Sequence, residues 1–380
     1  MSNTTTDRRW LSDPTPAMVS LSPKRQQAVR RLSSRILSGE YELEDVPCLC
    51  GARRGRLLAD RERFGLPCNT YLCTRCGIVW QTPRLTQDSL LRFYQEDYRP
   101  IYMGDNVSAD AHFEKQREHG EHIREFVARA RGVDEPGRVV DVGCAAGGTL
   151  LPFRDAGWRI AGCDFAPWLL DYGRRKGLEL VRGGPSSLAA WAGSDLVILR
   201  HVLEHVAEPR QFLAEVASLV RKDGFVYVGL PGLFHIFDDR NCKGDLQRYL
   251  QSAHLYHFTL ATLSHLMSEC GFRLVSGTEE IHALYQRAPG TDEAAPAGEA
   301  TRILFYCRLL ALEHWARRSK LGYCVQKVAG PLVRMAYGVD LHGKTGENRA
   351  LAAAQGVATH DVSSKKQAGV PAHHGERGGK

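Results

Sequence analysis

Val139-Val-Asp-Val-Gly-Cys-Ala-Ala-Gly-Gly-Thr-Leu150 is the stretch whose reading decides the fold. An apolar run ends in Asp141. Five small residues follow (Gly143, Ala145, Ala146, Gly147 and Gly148), and an apolar pattern at helical spacing then resumes. This order reads as strand, tight turn and helix start. Small residues in such a turn let the backbone approach a ligand with no Cβ in the way. The spacing is Gly-x-Ala-x-Gly and not the Gly-x-Gly-x-x-Gly of a dinucleotide site, and an acid precedes the first glycine. That carboxylate would repel a pyrophosphate and attract a ligand with a cationic end.

Neighbouring segments extend the pattern. Trp158-Arg-Ile-Ala-Gly-Cys-Asp164-Phe165 is a second strand ending in an acid. Asp164 lies about twenty residues beyond the turn, where a carboxylate can take both hydroxyls of a ribose. Further strands are expected at 178–184, 195–201 and 224–232, with helical patterns from Pro167 to Lys176 and from Pro209 to Arg221. Strands alternating with helices argue for a parallel sheet covered on both faces.

The run Asp141-x-Gly143-x-Ala145-x-Gly147 resembles the first motif of class I S-adenosylmethionine (SAM)-dependent methyltransferases, with Ala145 where that family usually has its middle glycine. Ser194 to Val206, Glu208-Pro209 and Leu219 to Phe225 are similar to the "HVLEHV…P…L…GG" region of bacterial methyltransferases of this class. The likeness runs from about Gly137 to Arg287, and Phe272–Tyr285 resembles the antiparallel hairpin that ends the family's sheet. The resemblance implies an α/β, Rossmann-like sheet of seven strands with SAM over the carboxyl ends. It assigns cofactor binding to Asp141, Gly143, Ala145, Gly147, Asp164 and Phe165, the last packing on adenine. Residues 183–187 hold no carboxylate for the adenine contact common in the family, which leaves a backbone group to serve.

Two cysteine pairs precede this region: Cys48-Leu-Cys50-Gly51 and Cys73-Thr-Arg-Cys76-Gly77. Each ends in glycine, as a turn wrapped around a metal prefers. Four thiolates suit tetrahedral zinc and leave no open position, so Cys48, Cys50, Cys73 and Cys76 are expected to hold a structural Zn2+. Cys68 is a stand-in ligand without a partner at that spacing; free buried thiols are the alternative. With Pro83-Arg-Leu-Thr86 and the aromatic stretch Phe93–Tyr98, the cluster resembles the N-terminal part of sugar and surface-glycan pathway methyltransferases.

The 380 residues, 43% of them hydrophobic, suffice for one catalytic domain and a small module. The expected division is an extension over 1–40, a zinc module over 41–100, the methyltransferase domain over 101–290, an amphipathic helical extension over 301–345 and a disordered tail over 346–380. The net charge is +7, but the excess sits at the two ends, and 41–300 is net acidic. That argues against a large nucleic-acid groove on the core, so no specific nucleic acid is expected. Residues 301–342 either pack on the core or offer a surface for peripheral contact with an anionic membrane. No apolar run reaches the roughly eighteen residues of a membrane span. The N-terminus is polar, which reads as cytoplasmic. Oligomeric state is open.

Methyl transfer to a hydroxyl or an acidic carbon needs a base. His201, His205 and His257 are the catalytic candidates, the first two flanking Glu204 after the fourth strand. The His201-Val-Leu-Glu204-His205 run also matches a zinc-peptidase signature, which requires a long helix where this chain has a strand end. A metal on His201, Glu204 and His205 is a second reading. In a third, Glu204 and His205 satisfy each other and cap the next helix. The function expected overall is methylation of a small-molecule acceptor (a sugar, glycan precursor or secondary metabolite) on O or C. An RNA or protein methyltransferase recognising its substrate through the basic module (Arg53, Arg54, Arg56, Arg61, Arg63, Arg75) and a non-catalytic assembly protein are the alternatives.

Overall fold

The computed structural model describes residues 17–103, 108–289 and 295–318; the side chains of Met103 and of 312–318 are not described. The expected tail over 346–380 and the segment 323–337 of the membrane-contact reading lie outside the described residues.

Helix α1 (Pro23–Leu37) starts at Ser22, whose hydroxyl accepts from the Arg25 N–H, with proline at its first position. Five short strands follow, β1 (Leu43–Glu44), β2 (Arg56–Arg61), β3 (Pro67–Leu72), β4 (Val79–Gln81) and β5 (Arg84–Leu85). Then come α2 (Gln87–Glu96), a π-turn at Arg99–Met103 and the long α3 (Ala109–Arg131), which ends on Gly132 in the left-handed conformation. From there β6 (Arg138–Val142), α4 (Leu151–Asp155), β7 (Arg159–Asp164), α5 (Pro167–Arg175), β8 (Leu180–Arg182), β9 (Ser194–Arg200), α6 (Pro209–Leu219) and β10 (Val220–Gly229) alternate as expected. After α7 (Leu246–Tyr249), β11 (Tyr256–His257) and α8 (Leu260–Glu269), the hairpin β12 (Phe272–Gly277) and β13 (His282–Arg287) closes the domain, and α9 (Glu299–Arg318) follows.

The seven-stranded sheet has the order β12-β13-β10-β9-β6-β7-β8. Strands β6 to β10 run parallel, β13 runs antiparallel between β10 and β12, and β12 therefore shares the direction of the parallel set. Val139, Val140, Leu196 to Leu199 and Val226 to Val228 are all buried, as continuous apolar runs in a doubly covered sheet should be. The helix expected after the glycine turn is only a 3-10 turn (Gly148–Leu150) and the five-residue α4, because Gly157 reverses the chain at once.

The boundary expected at residue 100 is crossed by backbone hydrogen bonds. A second sheet has the order β11-β4-β3-β2, so Tyr256 and His257 pair with Trp80 and Val79 of the N-terminal module. Arg84 reinforces the seam, donating to the Ala207 carbonyl at 3.0 Å and to the Tyr256 hydroxyl at 3.1 Å. Helix α9 also packs on this junction. Glu299, Ile303, Tyr306 and Leu310 form its buried stripe, in one cluster with Leu72, Val79 and Phe234. Its described part therefore faces the core.

Glu62, at the turn between β2 and β3, is 1% exposed. Its Oε1 accepts from the Phe64 N–H at 2.8 Å, while Oε2 has no partner. Burial, opposed by that N–H, pushes the carboxyl up from 4.5 to about 8. Because the folded value lies above the unfolded one, the stabilisation is complete below the unfolded value and is lost as pH rises through the folded one. Thermal stability should therefore fall between about pH 4.5 and about 8, with a slope of at most about 1.4 kcal/mol per pH unit from this group, and level off above. Glu62→Gln should flatten that decline in calorimetric melts; an unchanged slope would remove Glu62 as its source.

Candidate active site

Strand β6 delivers Asp141 into the sheet, and the chain then turns on Gly143 (φ 78°), Ala145 (φ 50°) and Gly147 (φ 80°). The Gly143 and Cys144 N–H groups both donate to the Cys163 carbonyl, at 2.8 and 2.9 Å, tying the turn to β7. Asp164 completes the clamp. Its Oδ2 accepts from the Ala145 N–H and its Oδ1 from the Ala166 N–H, both at 2.8 Å. Burial pushes the Asp164 carboxyl above the usual aspartate range, and the Ala166 and Ala145 N–H groups pull it back. Asp141 is 2% exposed, and burial raises it to about 8 against the attraction of Arg200. A cationic ligand group beside it would restore its charge. Phe165 is 61% exposed, and a Cβ added at Gly184 would meet its ring at 3.7 Å. The six expected cofactor residues thus gather at the carboxyl ends of β6 and β7.

Sequence reasoning missed the brace behind this turn. Gln116 on α3 donates to the Cys144 carbonyl at 2.9 Å. A Cβ at Gly120 would run into the Thr149 carbonyl, and one at Gly148 into that of Phe113, so α3 lies directly on the loop. A glycine inside an otherwise good helix was the available signal, since it costs about 1 kcal/mol relative to alanine.

Beside the loop, a cavity of about 920 Å³ opens over the ends of β9 and β10, between α3 and the β12–β13 hairpin. Lys115, Arg129, Arg200 and five histidines line it, opposed by only two acids, Asp239 and Glu280. Burial, with Arg200 and Lys115 nearby, lowers His119 to about 4, so it is neutral at pH 7.

Of the three expected catalytic histidines, His201 alone lines this cavity. It is a non-glycine residue at φ 53°, fixed by its N–H donating to the Gly229 carbonyl at 2.8 Å. Such backbone outliers concentrate at functional sites. Its Nδ1 lies 3.2 Å from Glu204 Oε1, and Glu204 is 1% exposed. Burial raises the Glu204 carboxyl, but the hydrogen bond from His201 and the charge of His205 outweigh it and hold it below the usual range. His205 stands behind the wall with Nδ1 2.8 Å from the Ala253 carbonyl. His257 is buried on β11, and neither of its ring nitrogens has a partner. The helix-capping reading fails, because α6 begins at Glu208 with no side-chain cap and Glu204 contacts His205 only at 3.9 Å. The peptidase reading fails too, because His201 directly follows β9 and Leu203–His205 is a single 3-10 turn.

The four cysteines of the module converge. Cys48 and Cys76 Sγ are 3.4 Å apart, Cys50 and Cys73 Sγ are 3.5 Å apart, and all four lie within 4.8 Å of one another. A tetrahedral Zn–S bond of about 2.3 Å implies sulfur–sulfur edges of roughly 3.8 Å, so the set is the right size for one ion. Gly51 (φ 83°) and Gly77 (φ 79°) supply the left-handed turns. Cys68 lies apart, 3.7 Å from the Thr70 hydroxyl.

A methyltransferase-domain family matches residues 113–277. The C-methyltransferase NovU of Streptomyces niveus is 25% identical over 311 residues, 77% of this chain and 69% of that one. The demethylmenaquinone methyltransferase of Renibacterium salmoninarum is 30% identical over 108 residues, 28% of this chain and under half (46%) of that one. Among solved structures, the 1,6-didemethyltoxoflavin-N1-methyltransferase of Burkholderia thailandensis is 19% identical with a TM-score of 0.39, covering 58% of this chain and 98% of that one. The magnesium protoporphyrin IX methyltransferase of Synechocystis is 18% identical with a TM-score of 0.38, covering 53% and 100%. The chain is a SAM-dependent methyltransferase with the α/β fold of that class. No helix among the described residues is long and apolar enough to cross a membrane.

Proposed function

We propose that the protein methylates a small anionic acceptor held in the cavity over β9 and β10, with the glycine turn and Asp164 holding SAM beside it. The observation that carries this reading is the cavity wall, in which Lys115, Arg129 and Arg200 face only two acids in a half-open cavity of about 920 Å³. That is the volume of a drug-sized ligand site. A sugar, glycan precursor or secondary metabolite bearing phosphate or carboxylate fits, and the relation to a C-methyltransferase favours carbon or oxygen as the methylated atom.

SAM supplies an electrophilic methyl group when bound. The chain's part is to hold the acceptor in line and to take its proton. His201 is the base: its Nδ1–H donates to Glu204 Oε1, which leaves Nε2 as the proton acceptor and lets the buried carboxylate stabilise the imidazolium. His205, with Nδ1 shared between the Ala253 carbonyl and the Tyr94 hydroxyl, and the buried His257 support the wall. Cys48, Cys50, Cys73 and Cys76 hold a structural zinc, which fixes the module that pairs with β11.

Labelled SAM offered with nucleotide-linked and phosphorylated sugars, their neutral counterparts, RNA and protein tests the acceptor class. Label should enter the charged small molecules and not the neutral ones. Transfer to RNA or protein alone would overturn the proposal.

A further inference from the structure

Behind the cavity wall lies a second group of potential ligands, separate from the four cysteines. One oxygen or ring nitrogen each from Glu204, His205 and His254 lie within 4.8 Å of one another. Glu204 is 1% exposed and His254 4%. The Glu204 carboxylate is only half satisfied: Oε1 meets His201 Nδ1 at 3.2 Å, while Oε2 is buried with no partner. An orphaned carboxylate oxygen is costly to bury, and so the fold is expected to place something cationic against it. The two rings are suited to that task. His205 Nδ1 lies 2.8 Å from both the Ala253 carbonyl and the Tyr94 hydroxyl; the carbonyl can only accept, and with the hydrogen on Nδ1 the Nε2 atom keeps its lone pair, 3.9 Å from Glu204 Oε1. A metal-binding imidazole is characteristically fixed in this way, by a carbonyl on its other nitrogen. The rings of His205 and His254 stand 4.8 Å apart at 82° to each other, an edge-on arrangement that does not stack them.

We propose that Glu204, His205 and His254 form a second metal site, which takes one first-row divalent cation one side chain behind the acceptor cavity. Two imidazoles and a carboxylate are a borderline donor set, suited to Zn2+, Co2+ or Mn2+ and poorly matched to Ca2+ or Mg2+. Three protein ligands leave at least one position open, unlike the closed thiolate cluster. Through Glu204 the ion bears on His201, which shares that carboxylate and lines the cavity. The site differs from the trio expected from sequence, because His254 replaces His201 as the third ligand.

Co2+ is the probe, because thiolate ligands give it an intense charge-transfer band that nitrogen and oxygen ligands do not. The full-length protein, loaded first with one equivalent of zinc, should take up one further equivalent of Co2+ with a d–d spectrum and no thiolate band. No uptake would overturn the proposal. Glu204→Gln and His254→Gln should each lose that second equivalent while keeping the first, and retention of both metals in both variants would equally overturn it. The first equivalent, reported by metal analysis, shows that each variant is folded. If metal-free wild type, offered Co2+ in excess with no zinc, binds a single equivalent without a thiolate band, the second site stands and the zinc reading of the cysteines fails.

Discussion

Replacing Cys73 and Cys76 with serine should cost the protein one zinc per chain and lower its melting temperature by roughly 4–12 °C. Structural zinc sites carry about 10 kcal/mol of apparent binding energy in small peptides. At about 2.1 cal/mol/K of unfolding entropy per residue, a third of that corresponds to about 4 °C in a chain of this size and the whole to about 12 °C. The effect should extend beyond the module. Trp80 and Val79 pair with Tyr256 and His257, and the module's Leu72 and Val79 share a buried cluster with Phe234 and Tyr306. Loosening the cysteine knuckles therefore loosens the segment behind the acceptor cavity, and acceptor affinity should fall along with stability. Metal analysis and calorimetry check both. A metal-free native protein with an unchanged melt would mean that the four sulfurs are packed thiols.

The second large effect belongs to His201. His201→Asn should lower kcat by roughly 10²–10⁴-fold, the usual contribution of a positioned base. Asparagine is the informative replacement, because it tolerates the left-handed backbone that His201 occupies at φ 53° and therefore removes the imidazole without adding strain. S-adenosylhomocysteine affinity should be unchanged, since the hydrogen bonds that hold the glycine turn run to the Cys163 carbonyl and the Asp164 carboxylate. His257→Ala, by contrast, empties a buried position on β11 and should reduce stability more than kcat. If His201→Asn turned over at the wild-type rate, the proton would have to leave by another route.

The parallel sheet was legible because its strands are buried on both faces and therefore read as unbroken apolar runs, each closed by an acid or a glycine. The glycine turn was legible because close backbone approach excludes side chains. Short-range chemistry of this kind leaves a local mark. The remainder of the site is built from long-range contacts. Strand β11 is two residues long, too short for any periodicity, and only its pairing with β4 shows that module and catalytic domain share a sheet. The cations of the cavity come from positions between Lys115 and Arg200, on α3 and at the end of β9, with no clustering in sequence. His201, His205 and His257 were indistinguishable as sequence, because what separates them is which side of the cavity wall each ring faces. Glu204, expected to pair with His205, instead turns its better contact to His201.

The cofactor site holds the account together, and calorimetric titration of the wild type and of Asp164→Ala with S-adenosylhomocysteine, with NAD as control, tests it most directly. Asp164 anchors the Ala145 and Ala166 N–H groups at 2.8 Å and stands where the ribose hydroxyls are expected. Hydrogen bonds to a charged group are worth about 1.5–3 kcal/mol, so the variant should bind roughly 10–100-fold more weakly. The wild type should bind S-adenosylhomocysteine and not NAD. Equal affinity in the two proteins, or no heat with the wild type, would contradict the placement of SAM at the Asp141–Gly148 turn.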